Sequence, residues 1–226
     1  LWRIVLAKRH QRVRKVRATH VGRIREPVSV RSHSRDKQTL QNDSAIVREM
    51  KKILITGGAG FIGYHLSKRL AKAGHSITIA DNFFRSHNDA DLTALIALPN
   101  VSLIETDLTK SEAWDSVGIG YDEVYHLVGI NGTKYFYEIP HEVLRIGVST
   151  TMNVLEWFRS KNSKPGAKIL YTSSNEAYAS ALEAFGKLPI PTPENVPLVI
   201  ADTYNPRWSY GGQKLIGELF FIHYAK

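Results

Sequence analysis

Tyr210 and Lys214 stand four residues apart in Tyr210-Gly211-Gly212-Gln213-Lys214, and on a helix that spacing brings both onto one face. The chemistry such a pair supports is proton transfer by a phenol. A free tyrosine has a pKa of about 10 and is a poor base at neutral pH. A neighbouring ammonium, joined by the positive ring of an oxidised nicotinamide, favours the phenolate. Bringing the pKa to about 7 takes about 4 kcal/mol of differential stabilisation. The spacing alone arises by chance on many helices, so its weight comes from position. Upstream lies the stretch Tyr171-Thr172-Ser173-Ser174-Asn175-Glu176-Ala177-Tyr178, which offers a hydroxyl at Ser174 and a carboxylate at Glu176.

A second constellation is Gly57-x-x-Gly60-x-x-Gly63. Gly57 permits a tight turn, Gly60 lets the backbone approach a pyrophosphate, and Gly63 lets helix and strand pack closely. A helix opening there presents free N–H groups and a partial positive charge to phosphates. Asp81 lies 18 residues beyond Gly63, near the spacing of the carboxylate that binds an adenosine ribose. Its charge repels a 2′-phosphate, so NAD is expected over NADP. Arg85 is the counter-indication, since a nearby guanidinium accommodates that phosphate. A turn-forming role, helped by Asn82, is the structural alternative for Asp81. Asp107, beside Leu108, either reaches the adenine amino group or caps a helix starting near Lys110.

The elements that must position these residues are legible from Met50 onward. Ile53-Leu54-Ile55-Thr56 is a continuous apolar run, the mark of a parallel strand buried on both faces. Phe61 to Ala73 has helical spacing, and Ser76 to Ala80 is a second strand ending on Asp81. Val101 to Glu105 and Glu123 to Val128 read as the third and fourth strands, and Ala167 to Thr172 as the fifth. Val143 to Arg159 and Tyr210 to Tyr224 read as helices. Strands alternating with helices over short links predict an α/β domain with a doubly wound parallel sheet of the Rossmann type. The 36-residue link from Ser174 to Tyr210 carries Pro189, Pro191, Pro193 and Pro197 and reads as a loop.

The chain has 226 residues and a net charge of +9, which suggests a polyanion partner until the charge is located. Residues 1–49 hold 13 Lys/Arg against 4 Asp/Glu, and residues 50–226 hold 17 of each. The excess therefore belongs to a basic extension, expected to be disordered or irregular, and not to the domain at 50–226. A nucleic-acid or membrane-surface arm, a transit peptide and a partner-binding tail are its functional readings. An upstream extension foreign to the native start is the plainer one. No specific nucleic-acid partner is expected. No apolar run approaches the roughly 18 residues of a membrane span, so no membrane association is expected, and the cytoplasm is the default compartment. With no cysteine there are no disulfides, and no metal site is expected. His65, His75 and His126 read as surface or packed residues.

Between residues 50 and 226 the sequence resembles the extended short-chain dehydrogenases, the NAD-dependent epimerase/dehydratase family of sugar-nucleotide enzymes. The resemblance is carried by Gly57 to Gly63, Asp81-Asn82, His126-Leu127, Asn153-Val154-Leu155-Glu156, Ser173-Ser174 before Glu176 and Tyr178, and Tyr210 with Lys214. It implies NAD contacts at Gly57, Gly60, Phe61, Ile62, Gly63, Asp81, Asn82, Asp107, Leu108, Val128, Tyr210 and Lys214. It also implies a catalytic set in which Ser174 holds the substrate oxygen, Tyr210 is the base, and Lys214 is both its partner and a ribose ligand. Glu176 either performs later acid/base steps or serves as a solvated or helix-capping carboxylate. Asn175 stands where dehydratases of the family carry Asp, which counts against that reaction.

The implied activity is transient oxidation of a sugar hydroxyl on a nucleotide sugar, ending in epimerisation, with decarboxylation or dehydration as alternatives. A truncated or non-catalytic NAD-binding module is the rival class. Gly147 stands where the family usually has Asn, removing one polar contact. Relatives continue for about a hundred residues that supply most of the sugar site, so the chain is expected to be a fragment lacking its C-terminal substrate domain. They also often dimerise through helices matching Val143–Arg159 and the Tyr210 helix, which implies a homodimer of the full-length enzyme; burial of both within one monomer is the alternative.

Overall fold

The computed structural model describes residues 49–162 and 164–226, together with the backbone of residues 4–8 and 11–15. Its centre is β3 (Lys52–Thr56), followed by α1 (Phe61–Lys72), β4 (Ser76–Asp81), α2 (Ala90–Ile96), β5 (Val101–Glu105) and the short α3 (Trp114–Val117). Then come β6 (Glu123–His126), α4 (Thr133–Glu138), α5 (Pro140–Ser160), β7 (Lys168–Thr172), α6 (Glu176–Phe185) and α7 (Trp208–Tyr224). β3 pairs in parallel with β4 on one side and β6 on the other, and β5 and β7 extend the sheet outward, also parallel.

Alternation along β3 explains the layering. Ile53 and Ile55 face a core shared with α1 and α2 that includes Ile77, Ile79, Leu92 and Leu95. Leu54 faces the opposite core, with Val154, Leu155, Trp157, Ile169 and Phe221 from the α5, β7 and α7 side. With both faces covered, all four residues Ile53 to Thr56 are fully buried, as the apolar run requires. α5 and α7 pack against each other on one face. Among the described residues no helix is long and apolar enough to cross a membrane.

Two features depart from the sequence expectation. The sheet has seven strands in the order β2-β1-β7-β6-β3-β4-β5, because β1 (Ile4–Lys8) and β2 (Gln11–Lys15) add an antiparallel hairpin to the edge of β7. Ten residues of the basic extension thus join the sheet. An edge strand presents unpaired N–H and C=O groups that any extended segment satisfies, and Ile4-Val5-Leu6 suits that role. The remaining residues of the extension lie outside the described ones. Second, the link from Ser174 to Tyr210 is not one loop: it contains α6, ending on Gly186 with φ +68°, the left-handed cap that glycine favours.

Candidate active site

The sheet's strand order reverses between β3 and β6, and outside the carboxyl ends of these strands lies a cleft of about 490 Å³, where open α/β sheets bind ligands. Its floor is the turn from β3 into α1. Gly57 has φ +70°, a left-handed conformation that side chains resist. A Cβ on Gly63 would lie 2.5 Å from Gly57 O and from Gly58 Cα, so only glycine lets α1 start this close to the turn. Gly60 precedes α1, which has no side-chain cap and no acidic residue in its first turn. Phe61 and Ile62, both largely exposed, line the cleft with these glycines.

Asp81 ends β4 on the cleft wall. Its Oδ2 accepts from Ala59 N at 3.1 Å, and Oδ1 from Phe83 N at 2.9 Å and Ser86 Oγ at 3.1 Å. The turn-forming role and the link to the glycine loop thus coexist in one carboxylate. Asn82 caps its own turn by accepting from Phe84 N, and also lines the cleft. Arg85 is committed elsewhere: it donates to Asn131 O and lies 5.1 Å over the ring of Tyr135.

Asp107 and Leu108 line the same end. No helix begins at Lys110, so the capping alternative for Asp107 is corrected. Its Oδ1 instead accepts from Thr109 N and Oγ1, a side-chain turn that competes with helix initiation. Asn153 on α5 anchors this loop by donating to Leu108 O and Thr109 O at 3.1 and 2.9 Å.

At the far end of the cleft stand Val128, Tyr210 and Lys214. Tyr210 and Lys214 come from α7 and are 6% and 3% exposed. Lys214 Nζ donates to Thr172 O at 2.8 Å and lies 5.7 Å from the Tyr210 ring centroid. Burial pulls its pKa down to about 8. Burial also raises the Tyr210 phenol above its ordinary value; the Ser174 hydroxyl bonded to it and the Arg85 charge oppose this, and Glu176 adds to it. Without the positive ring that the sequence expectation pairs with Lys214, desolvation outweighs the groups that favour the phenolate.

Ser174 and Glu176 sit at the rim, outside the cofactor cleft but against Tyr210. Ser174 Oγ also accepts from Glu176 N at 3.2 Å, just ahead of α6, whose N-cap Asn175 makes no side-chain cap bond. The Glu176 carboxylate faces Arg207 at 3.4 Å. Sequence reasoning missed Ser173, which lines the cleft and donates to the buried Glu218 at 2.6 Å; its only signal was adjacency to Ser174. His126 is a packed residue: fully buried, 2.8 Å from Thr56 Oγ1, and held to a pKa of about 3 chiefly by burial.

The glycine cradle, the Asp81 carboxylate and the elongated cleft ending at a buried Tyr–Lys pair fit a dinucleotide. Comparison with known proteins agrees. The chain is 33% identical over 177 residues to a UDP-N-acetyl-alpha-D-glucosaminuronate decarboxylase of Bacillus cytotoxicus, covering 77% of this chain and 50% of that protein. It resembles the structure of UDP-glucose 4-epimerase from Bifidobacterium longum in complex with NAD+ and UDP, with TM-score 0.62 and 26% identity over 75% of this chain and 48% of that one. A UDP-galactose 4-epimerase structure gives TM-score 0.57 and 27% identity, covering 74% and 49%. The chain spans about half the length of these relatives. The model of the NAD dependent epimerase/dehydratase family matches residues 53–226, and the chain belongs to that family of enzymes, whose cofactor is NAD.

Proposed function

We propose that this chain supplies the cofactor-binding and proton-transferring half of an enzyme that transiently oxidises a hydroxyl of a nucleotide-linked sugar, with epimerisation as the outcome. The observation that carries the reading is the convergence of Tyr210, Lys214 and Ser174 at one end of a dinucleotide cleft. NAD, when bound, supplies the hydride acceptor. Tyr210 takes the proton of the sugar hydroxyl as the carbon–hydrogen bond breaks and a carbonyl forms. Ser174 steadies the oxygen on which charge develops. Lys214, tied to Thr172 O, keeps an ammonium beside the phenol and toward the ribose. Return of hydride to the other face of the carbonyl, with the proton from Tyr210, gives the epimer and leaves the cofactor unchanged. UDP-linked sugars are the substrates to test first, as the relatives are named for them.

Decarboxylation is the second reading, favoured by the Bacillus cytotoxicus relative and by Glu176 beside Tyr210. A carbonyl next to the carbon bearing a carboxylate weakens the bond to CO2, so only a uronate substrate would release it. The intact Tyr210, Ser174 and Lys214 set argues against a non-catalytic module. Tyr210→Phe should cut turnover of a UDP-sugar by about 10²–10⁴-fold, the range for a lost acid–base group, while NAD affinity stays within about twofold. A Phe variant that turns over normally would refute the assignment, and CO2 release from a UDP-uronate would decide between the two outcomes.

A further inference from the structure

Gln213 stands beside Lys214 on α7 and is 1% exposed. Its amide Nε2 has no hydrogen-bond partner among the described residues, an arrangement that native structures rarely keep without cause. Two glycines make the space it fills. A Cβ at Gly147 on α5 would fall 2.0 Å from Gln213 Oε1 and 2.4 Å from its Cδ, so no side chain fits at position 147 unless Gln213 withdraws. A Cβ at Gly129 would lie 3.9 Å from Gln213 Nε2 and 3.4 Å from Lys214 Nζ. Gly129 lines the cleft, so the amide and the ammonium converge on one backbone position of its wall. Gly147 leaves α5 without a polar side chain at this crossing, and α7 supplies one.

We propose that Gln213 is a positioning residue for the nicotinamide end of the cleft: from behind the wall its carboxamide sets Lys214 and the Gly129 backbone in the geometry that grips the nicotinamide ribose. The inference rests on the reading of Tyr210 and Lys214 as that end of the site. A residue acting there affects ligands that carry the nicotinamide riboside and spares those that do not, whereas a general packing defect weakens both.

The test is calorimetric titration of the 226-residue chain with NAD+ and with ADP, which shares the adenosine diphosphate and lacks the nicotinamide riboside. Gln213→Met keeps the length and removes the polar end. It should weaken NAD+ about tenfold, because an apolar end in place of the carboxamide lets Lys214 and the Gly129 backbone shift, with ADP within about twofold. The exchange Gly147→Asn with Gln213→Ala moves the amide from α7 to α5 across the same space and should restore NAD+ to within about threefold. Unchanged NAD+ affinity in Gln213→Met beside a weakened Lys214→Met overturns the role of Gln213 and leaves the site reading intact. Unchanged affinity in both overturns the site reading itself. A parallel fall for NAD+ and ADP reduces Gln213 to packing and overturns the proposal. Should Gln213→Met fail to fold, the exchange variant decides: folded with NAD+ affinity recovered supports the role, and folded with affinity as poor as Lys214→Met overturns it.

Discussion

Replacing Asp81 by alanine tests whether its carboxylate holds a ribose or only its own turn. A carboxylate offers about four acceptor directions, and three are taken by Ala59 N, Phe83 N and Ser86 Oγ. One ribose hydroxyl therefore finds a free direction, and a second must displace Ser86, whose hydroxyl can rotate away. One charge-assisted bond is worth about 1.5–3 kcal/mol, so the affinity of Asp81→Ala for NAD+ should fall about 10- to 100-fold. The same substitution frees Ala59 N and loosens the glycine loop. Nicotinamide mononucleotide, which lacks the adenosine ribose, reports that second effect alone and should weaken much less. NADP+ should lose least of the three relative to wild type, because removing the carboxylate also removes its repulsion of the 2′-phosphate. Titration calorimetry with all three ligands is the assay. NAD+ affinity within twofold of wild type, or an equal fall for the mononucleotide, would refute the ribose assignment.

Gly63→Ala places a methyl against Gly57 O and Gly58 Cα, both backbone atoms that cannot rotate away. Overpacking of this kind costs about 1–3 kcal/mol, so the variant should melt lower and bind NAD+ more weakly; an unchanged melting curve would show that the turn moves freely. Lys214 has its pKa pulled from 10.5 to about 8 by burial, so between those pH values the unfolded chain binds more protons than the folded one. Stability then rises with pH across that window, by about 3 kcal/mol in all, and the penalty is fully present below pH 8. In urea titrations from pH 7.5 to 10.5, wild type should gain on Lys214→Met by that amount; parallel curves would contradict the buried-ammonium reading.

The parallel sheet and the α1, α5 and α7 helices were legible because burial on both sheet faces, or on one helix face, writes a period into the sequence. The ladder of β1 and β2 was not, since ten residues without a long apolar face become strands only when the edge of β7 is present. α6 was masked by the four prolines that follow it, although Glu176-Ala177-Tyr178-Ala179-Ser180-Ala181-Leu182 is a good helix former by propensity. At the site, Gly57 and Gly63 were readable because backbone geometry dictates the residue type, and Asp81 because its spacing from the glycines follows from the strand between them. Pairings such as Ser173 with Glu218, Arg85 with Asn131, or Gln213 against Gly147 join residues 45, 46 and 66 positions apart. Neither member of such a pair carries a local mark.

The opposed shifts of Tyr210 and Lys214 bear on how a transient oxidation stays reversible. Burial disfavours both charged forms, so the chain alone keeps Tyr210 as a neutral phenol and leaves the ammonium of Lys214 only marginally favoured near neutral pH. Ser174 and Arg85 support the phenolate, and Glu176 opposes it. Under the proposed function, a positively charged ring bound beside Tyr210 would add to the support from Ser174 and Arg85 and strengthen the phenol as a base. The proton that Tyr210 takes from the sugar hydroxyl would then be the one it gives back in the reverse step. Burial beside a modest, balanced set of charges leaves the proposed catalytic phenol responsive to whatever charge occupies the cleft that it lines, which gives a physical reason for its place on α7.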